Sequence, residues 1–117
     1  MKFQPSKLEP VWVNIDGVEY PAKMTMGGLA ELEELTGMGF LKLFNKFADQ
    51  EMAASDLINI LYVMLKCGGV ELCKKDINDV YFTAGILDAM SQVLNRALKV
   101  NSVLQDHKEK DNKKKMN

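Results

Sequence analysis

The chain has a single histidine, two cysteines and three prolines in 117 residues. Each scarcity excludes something. His107 stands alone in a charged C-terminal stretch, so a tetrahedral zinc site would lack protein ligands. Cys67 and Cys73 flank Gly68-Gly69-Val70-Glu71-Leu72, a spacing that is neither a C-x-x-C redox motif nor half of a four-ligand zinc site. They read as two reduced thiols, one at a helix end and one in the following loop, and a cytoplasmic location is the expectation. Long hydrophobic runs are missing too. The longest, Leu57 to Leu65, is interrupted by Asn59 and is less than half of a membrane-spanning helix. Met1-Lys2-Phe3-Gln4-Pro5 has no apolar stretch behind its lysine, so no secretory signal is expected. Excess charge is absent as well: fifteen Lys+Arg against sixteen Asp+Glu give −1. No overall field draws the chain to nucleic acid or to an anionic membrane.

Catalytic signatures are equally scarce. Gly27-Gly28 and Gly37-Met38-Gly39 lack the lysine or the strand–turn–helix setting of a phosphate-cradling loop and read as helix-boundary glycines. Glu31, Glu33 and Glu34 read as a solvated helix face, and Asp76 and Asp79 likewise, with Asp76 near a helix N-terminus. No enzyme, metal or cofactor is expected. The basic residues cluster only in the tail, Lys108 to Lys115, mixed with acids. Trp12, Tyr20 and Tyr62 are not interleaved with Arg or Lys as a nucleic-acid stacking platform requires.

What is present is a 47% hydrophobic, 26% charged composition, suited to one globular domain with its own core. The patterning predicts a mainly α (α+β) fold of about five helices with a small N-terminal antiparallel β-hairpin. Residues 1–104 form the domain and 105–117 a charged, disordered tail. The hairpin spans about 11–24. Val11, Val13 and Ile15 alternate with Trp12 and Asn14, Asp16-Gly17 makes the turn, and Val18 to Met24 returns. Pro21 marks its strand as an edge or breaks it.

Thr25 caps a first helix through Leu35, with Leu29, Leu32 and Leu35 on one side. A second helix, Gly39 to Ala48, carries Phe40, Leu43, Phe44 and Phe47 at i, i+3, i+4 and i+7. Ser55-Asp56 caps a third, Leu57 to Cys67, apolar nearly all round and so expected at the centre of the domain. A fourth runs from Lys74 to about Phe82. The last begins near Thr83-Ala84-Gly85 and could reach Asp106, with Ile86, Met90, Val93, Ala97, Val100 and Leu104 as a coiled-coil-like seam. Leu87, Leu94 and Leu98 widen the seam toward the core, and its narrow end is left for a partner. Eight methionines read as core filler or as an adaptable surface for partner helices.

The ribbon Val13-Asn14-Ile15-Asp16-Gly17-Val18-Glu19-Tyr20, the helix ending Leu32-Glu33-Glu34-Leu35-Thr36-Gly37, the central helix Asp56 to Lys66, and Lys75-Asp76-Ile77-Asn78-Asp79-Val80 before a long amphipathic helix together carry a resemblance. In this order, over about 11–104, they resemble the tail assembly chaperones of long-tailed bacteriophages and prophages, and the small tail-associated protein of gene transfer agents. The resemblance implies a non-enzymatic protein of the host cytoplasm that shields the tape-measure protein and helps recruit tail-tube subunits. Partners would be those two proteins, with no nucleic acid and no membrane. Self-association through the ribbon or the last helix stays open. Val100, Val103 and Leu104 are the candidate partner-binding residues. Lys113-Lys114-Lys115 could be encoded by an adenine run on which ribosomes slip to make a longer form, or could be a solubility tail. The alternative to the chaperone is a small adaptor or regulatory protein of a mobile element that binds another protein or DNA.

Overall fold

The computed structural model describes residues 1–5 and 8–100, the last two by backbone alone. The tail 105–117, with its lysine run, lies outside the described residues. Two strands and five helices follow one another: β1 (Val11–Ile15), β2 (Val18–Ala22), α1 (Met26–Thr36), α2 (Phe40–Ala48), α3 (Ala54–Cys67), α4 (Lys74–Ile77) and α5 (Ala84–Val100). This is the mainly helical α+β architecture with an N-terminal hairpin that the patterning predicts.

The strands pair antiparallel, Val11 with Ala22 through Ile15 with Val18. Asp16 (φ 54°) and Gly17 (φ 86°) both take positive φ, as a two-residue hairpin turn requires, and the Gly17 N–H donates to Asn14 Oδ1 at 2.9 Å. Pro21 does not break its strand. A two-residue turn makes Ile15 and Val18 a hydrogen-bonded pair, and alternation leaves Trp12 and Pro21 a non-bonded pair. The N–H that proline lacks would have pointed away from the ladder. Val11, Val13 and Ala22 are buried against α5 and α3, while Trp12 is 57% exposed on the opposite face.

Helix α1 begins as read: Thr25 Oγ1 accepts from the Gly28 N–H at 3.1 Å. It ends at Gly37 in the left-handed region (φ 72°). Leu32 is buried, but Leu35 is exposed, so the expected leucine side is narrower than drawn. Gly28 is more than a boundary glycine. A Cβ there would come within 2.6 Å of Cys67 Sγ and 3.2 Å of Val63, so α1 and α3 pack with backbone close to side chain.

Helix α3 starts at Ala54, one residue before the expected Ser55-Asp56 cap, and Ala53 offers no side-chain cap. Ile60, Leu61, Val63, Met64 and Leu65 are all buried on it, and it touches α1, α4, α5 and β2. Each such side chain contributes about 1.5–3 kcal/mol on burial. The central position expected of this helix holds.

Helix α4 stops at Ile77 rather than Phe82. Asp76 accepts from the Cys73 N–H at 2.8 Å and closes its first turn. Asn78 and Asp79 are weak helix formers that compete for backbone hydrogen bonds, and the chain then extends so that Thr83 can accept from the Ile86 N–H and cap α5. On α5, Ile86, Met90, Val93, Leu94 and Ala97 are buried, whereas Leu87 is exposed and lies outside the expected wide seam.

A backbone approach joins the hairpin to α3. The Lys23 N–H donates to Met64 O at 2.9 Å, and a Cβ on Gly68 would sit 2.1 Å from Pro21 O. Gly68→Ala must therefore push two backbones apart. It should cost roughly 2–4 kcal/mol in urea denaturation. Asn59 is 4% exposed, and its Oδ1 has no hydrogen-bond partner among the described residues. Asn59→Leu, of similar size and without the unpaired oxygen, should raise stability by about 1 kcal/mol or more in the same measurement.

Candidate partner-binding surfaces

Of the residues singled out in the sequence, Val100 is the last residue of α5. Val103 and Leu104 lie outside the described residues, as does the Val100 side chain. The described part of the seam is core. At the opposite end of α5, the structure brings together a surface the sequence reading missed.

Between the N-terminal halves of α3 and α5 and the segment following α4 lies an open groove of about 200 Å³. Leu57, Ile58 and Leu61 of α3 form one wall, Ile86 and Met90 of α5 the other, and Ile77, Val80 and Phe82 close it. Asn78 is its one polar lining side chain, and no acid or base lines it. Phe82 is 56% exposed at the rim and neighbouring Tyr81 is 80% exposed. Had α4 continued to Phe82, the aromatics would have been placed by helical periodicity. Because it stops at Ile77, they sit on an extended connection. Their signal in the sequence was an aromatic pair just before a capping threonine, in a stretch read as helix.

The methionines divide. Met38, Met64 and Met90 are buried, Met24 and Met52 half-buried, and Met26 exposed. Core filling accounts for most of the described ones. The aromatic stripe of α2 anchors through Phe40, whose ring centroid lies 6.3 Å from that of Phe44. Phe44 and Phe47 are only half-buried.

Among the described residues the one ion pair joins Lys66 Nζ and Glu31 Oε1 at 3.0 Å, across α3 and α1. Lys66 also lies 5.5 Å from the Tyr62 ring centroid. Glu31, read as part of a solvated acidic face, thus ties two helices together. Its hydrogen bond and charge raise the Lys66 pKa above the ordinary 10.5, with Tyr62 adding to the effect. Cys67 is half-buried and Cys73 exposed, both free thiols. No group of three or more His, Cys, Asp or Glu that could hold a metal occurs among the described residues. No helix among them is long and apolar enough to cross a membrane.

The fold and its surface thus describe a small helical domain, with a β-ribbon, that presents an open apolar groove. The sequence profile of the family described as phage tail tube protein, GTA-gp10, matches residues 10–100, and the chain belongs to this phage tail family. Membership supports a role in phage tail structure or assembly. No curated protein and no solved structure shows significant similarity to the chain.

A lysine pKa raised in the folded state stabilises fully below the unfolded value, and that contribution is lost as pH rises through the folded value. The Lys66 contribution is therefore flat near neutral pH and is lost in strong alkali. Glu31→Gln should move the Lys66 titration, followed by NMR, back toward 10.5.

Proposed function

We propose that this protein is a phage tail assembly chaperone that covers apolar helical segments of the tape-measure protein and helps bring tail-tube subunits to it, without making or breaking a covalent bond. The observation that carries the reading is the groove between α3, α4 and α5. It is open, lined by aliphatic side chains, rimmed by Phe82 and free of any acid or base. Such a surface offers a partner helix apolar area worth about 25 cal/mol per Å² removed from water. It offers a reacting substrate no general acid, base or nucleophile. Family membership supplies the tail context.

A displaceable cover must bind through several modest contacts, because the tube subunits later replace it. A shallow groove and separate exposed apolar side chains suit that requirement better than one deep pocket. Val100, Val103 and Leu104 remain a second, separate part of the proposed surface, the last two beyond the described residues.

A second reading is favoured by the family's own description, tail tube protein: the chain is itself a component of the tube. The two readings differ in what the finished particle contains. A chaperone is released and is missing from purified tails by mass spectrometry, whereas a tube component is present in many copies.

Co-expression with the tape-measure protein should keep the latter soluble. Phe82→Asp, at the exposed rim of the groove, should weaken that association roughly tenfold or more while leaving the thermal midpoint nearly unchanged. An undiminished pull-down by this variant would remove the groove from the reading. The same result with Val100→Asp plus Leu104→Asp would remove the end of the seam.

A further inference from the structure

A second groove, about 360 Å³, opens on the other side of α4, and Ile77 and Val80 line both. Its floor is apolar, with Leu65 and Ile77 buried beneath half-buried Tyr20 and Leu72. Its charge is of one sign. Asp16, Glu71, Asp76 and Asp79 line it, all exposed, and no lysine, arginine or histidine does among the described residues. Asp76 spends one oxygen on the Cys73 N–H, and none of the four carboxylates is ion-paired among the described residues. Gathering four like charges on one surface is repulsive, and a cationic occupant relieves that repulsion.

The chain carries a segment of the matching chemistry at its other extreme. Lys108, Lys110, Lys113, Lys114 and Lys115 lie in the tail, and its acids, Asp106, Glu109 and Asp111, all come before Asn112. From Asn112 to Asn117 there are three consecutive lysines and no acid, with Met116 directly after them. The long methylene stems of lysine cover apolar surface while their ammonium groups stay at a wet rim, and a methionine adapts to an irregular floor.

Position favours the same pairing. Arg96, near the end of α5, donates to the carbonyl of Glu9, just ahead of β1. The groove starts at the other end of β1, at Ile15 and Asp16. The stretch from Glu9 to Asp16 spans at most about 23 Å. Thirteen residues carry the chain from Val100, the last residue of α5, to Lys113. A chain of that length has an r.m.s. reach of about 20 Å and a fully extended one of about 43 Å. A tether matched to its span presents its end at an effective concentration on the order of 1 mM, so individually weak lysine–carboxylate contacts suffice to seat it.

We propose that residues 112–117 fold back onto the groove of their own chain, with Lys113, Lys114 and Lys115 against the rim of Glu71, Asp76 and Asp79 and with Met116 on the apolar floor. The tail is then a tethered cover. It screens the four carboxylates and takes part of the floor out of water, and a basic segment of any other protein must displace it to enter. The contact is independent of tape-measure binding and is tested without that protein.

Zero-length carbodiimide cross-linking of the full chain, as an equal mixture of unlabelled and heavy-isotope-labelled protein, reads the contact by peptide mass spectrometry. At low salt, Lys113 to Lys115 should be joined to Glu71 or Asp79 at least about fivefold more often than to Glu9 or Glu19, exposed acids that lie outside the groove. Each joined pair should carry a single isotope label, and the preference should fade at high salt. Glu71→Lys with Asp79→Lys should abolish it, and adding Lys113→Glu, Lys114→Glu and Lys115→Glu to that chain should restore cross-links with the charges exchanged. Asp16 and Asp76 are left alone because they hold the hairpin turn and the start of α4, and circular dichroism checks that the variants remain folded. Lys113→Gln with Lys114→Gln and Lys115→Gln, outside the folded core, should shift the backbone amide resonances of Glu71, Leu72 and Asp79 and leave those of Glu33 and Glu34 in place. Cross-links spread evenly over the exposed acids, or amide resonances at the groove that ignore the lysine changes, would overturn the proposal. So would cross-linked pairs that mix the two labels, because the tail would then belong to another copy.

Discussion

Burial of α3 is the constraint on which the other elements depend. Its side chains reach the core on several sides, and α1, α4, α5 and β2 each solve the problem of covering one of them. A two-stranded ribbon is marginal in water, and this one is held because Val11, Val13 and Ala22 face α5 and α3. Two glycines allow the cover to close tightly. Gly28 lets α1 approach Val63 and Cys67, and Gly68 lets the end of α3 meet the backbone of Pro21. The core is a packing of helices around one axis, with the ribbon as a lid at the α3 C-terminal end.

That arrangement also creates the two grooves. The segment from α4 to Thr83 is short and crosses between α3 and α5 without filling the space on either side. Ile77 and Val80 serve as a common wall. One side, between α3, α4 and α5, has no charged side chain in its lining, and the other carries Asp16, Glu71, Asp76 and Asp79, so a single short helix separates surfaces of different chemistry.

Much of the fold was legible because its signals are local. The alternation in 11–15, the Asp16-Gly17 turn, the Thr25 cap and the Gly37 stop depend on residues within one or two turns of each other, and each stands where it was read. Thr83 was likewise legible as the start of α5. The errors occur where local propensity is contested. Helix α4 is shorter than its pattern predicts: Ile77, Val80 and Tyr81 have helical spacing, while Asn78-Asp79 and the demand of the Thr83 cap act against continuation. Periodicity predicts Leu35 and Leu87 on inward faces, but both are exposed, because a helix face is buried only as far as a neighbour extends.

The sequence by itself determined the element order and the central place of α3, because hydrophobic period and turn chemistry are written in neighbouring residues. Tertiary structure alone decided which apolar residues stay uncovered. It set Phe82 at a rim, tied Glu31 to Lys66 across two helices, and gathered Asp16, Glu71, Asp76 and Asp79 around one floor. Those residues are distant in the chain or differ in face, and only the packing of helices on α3 brings them to a common surface.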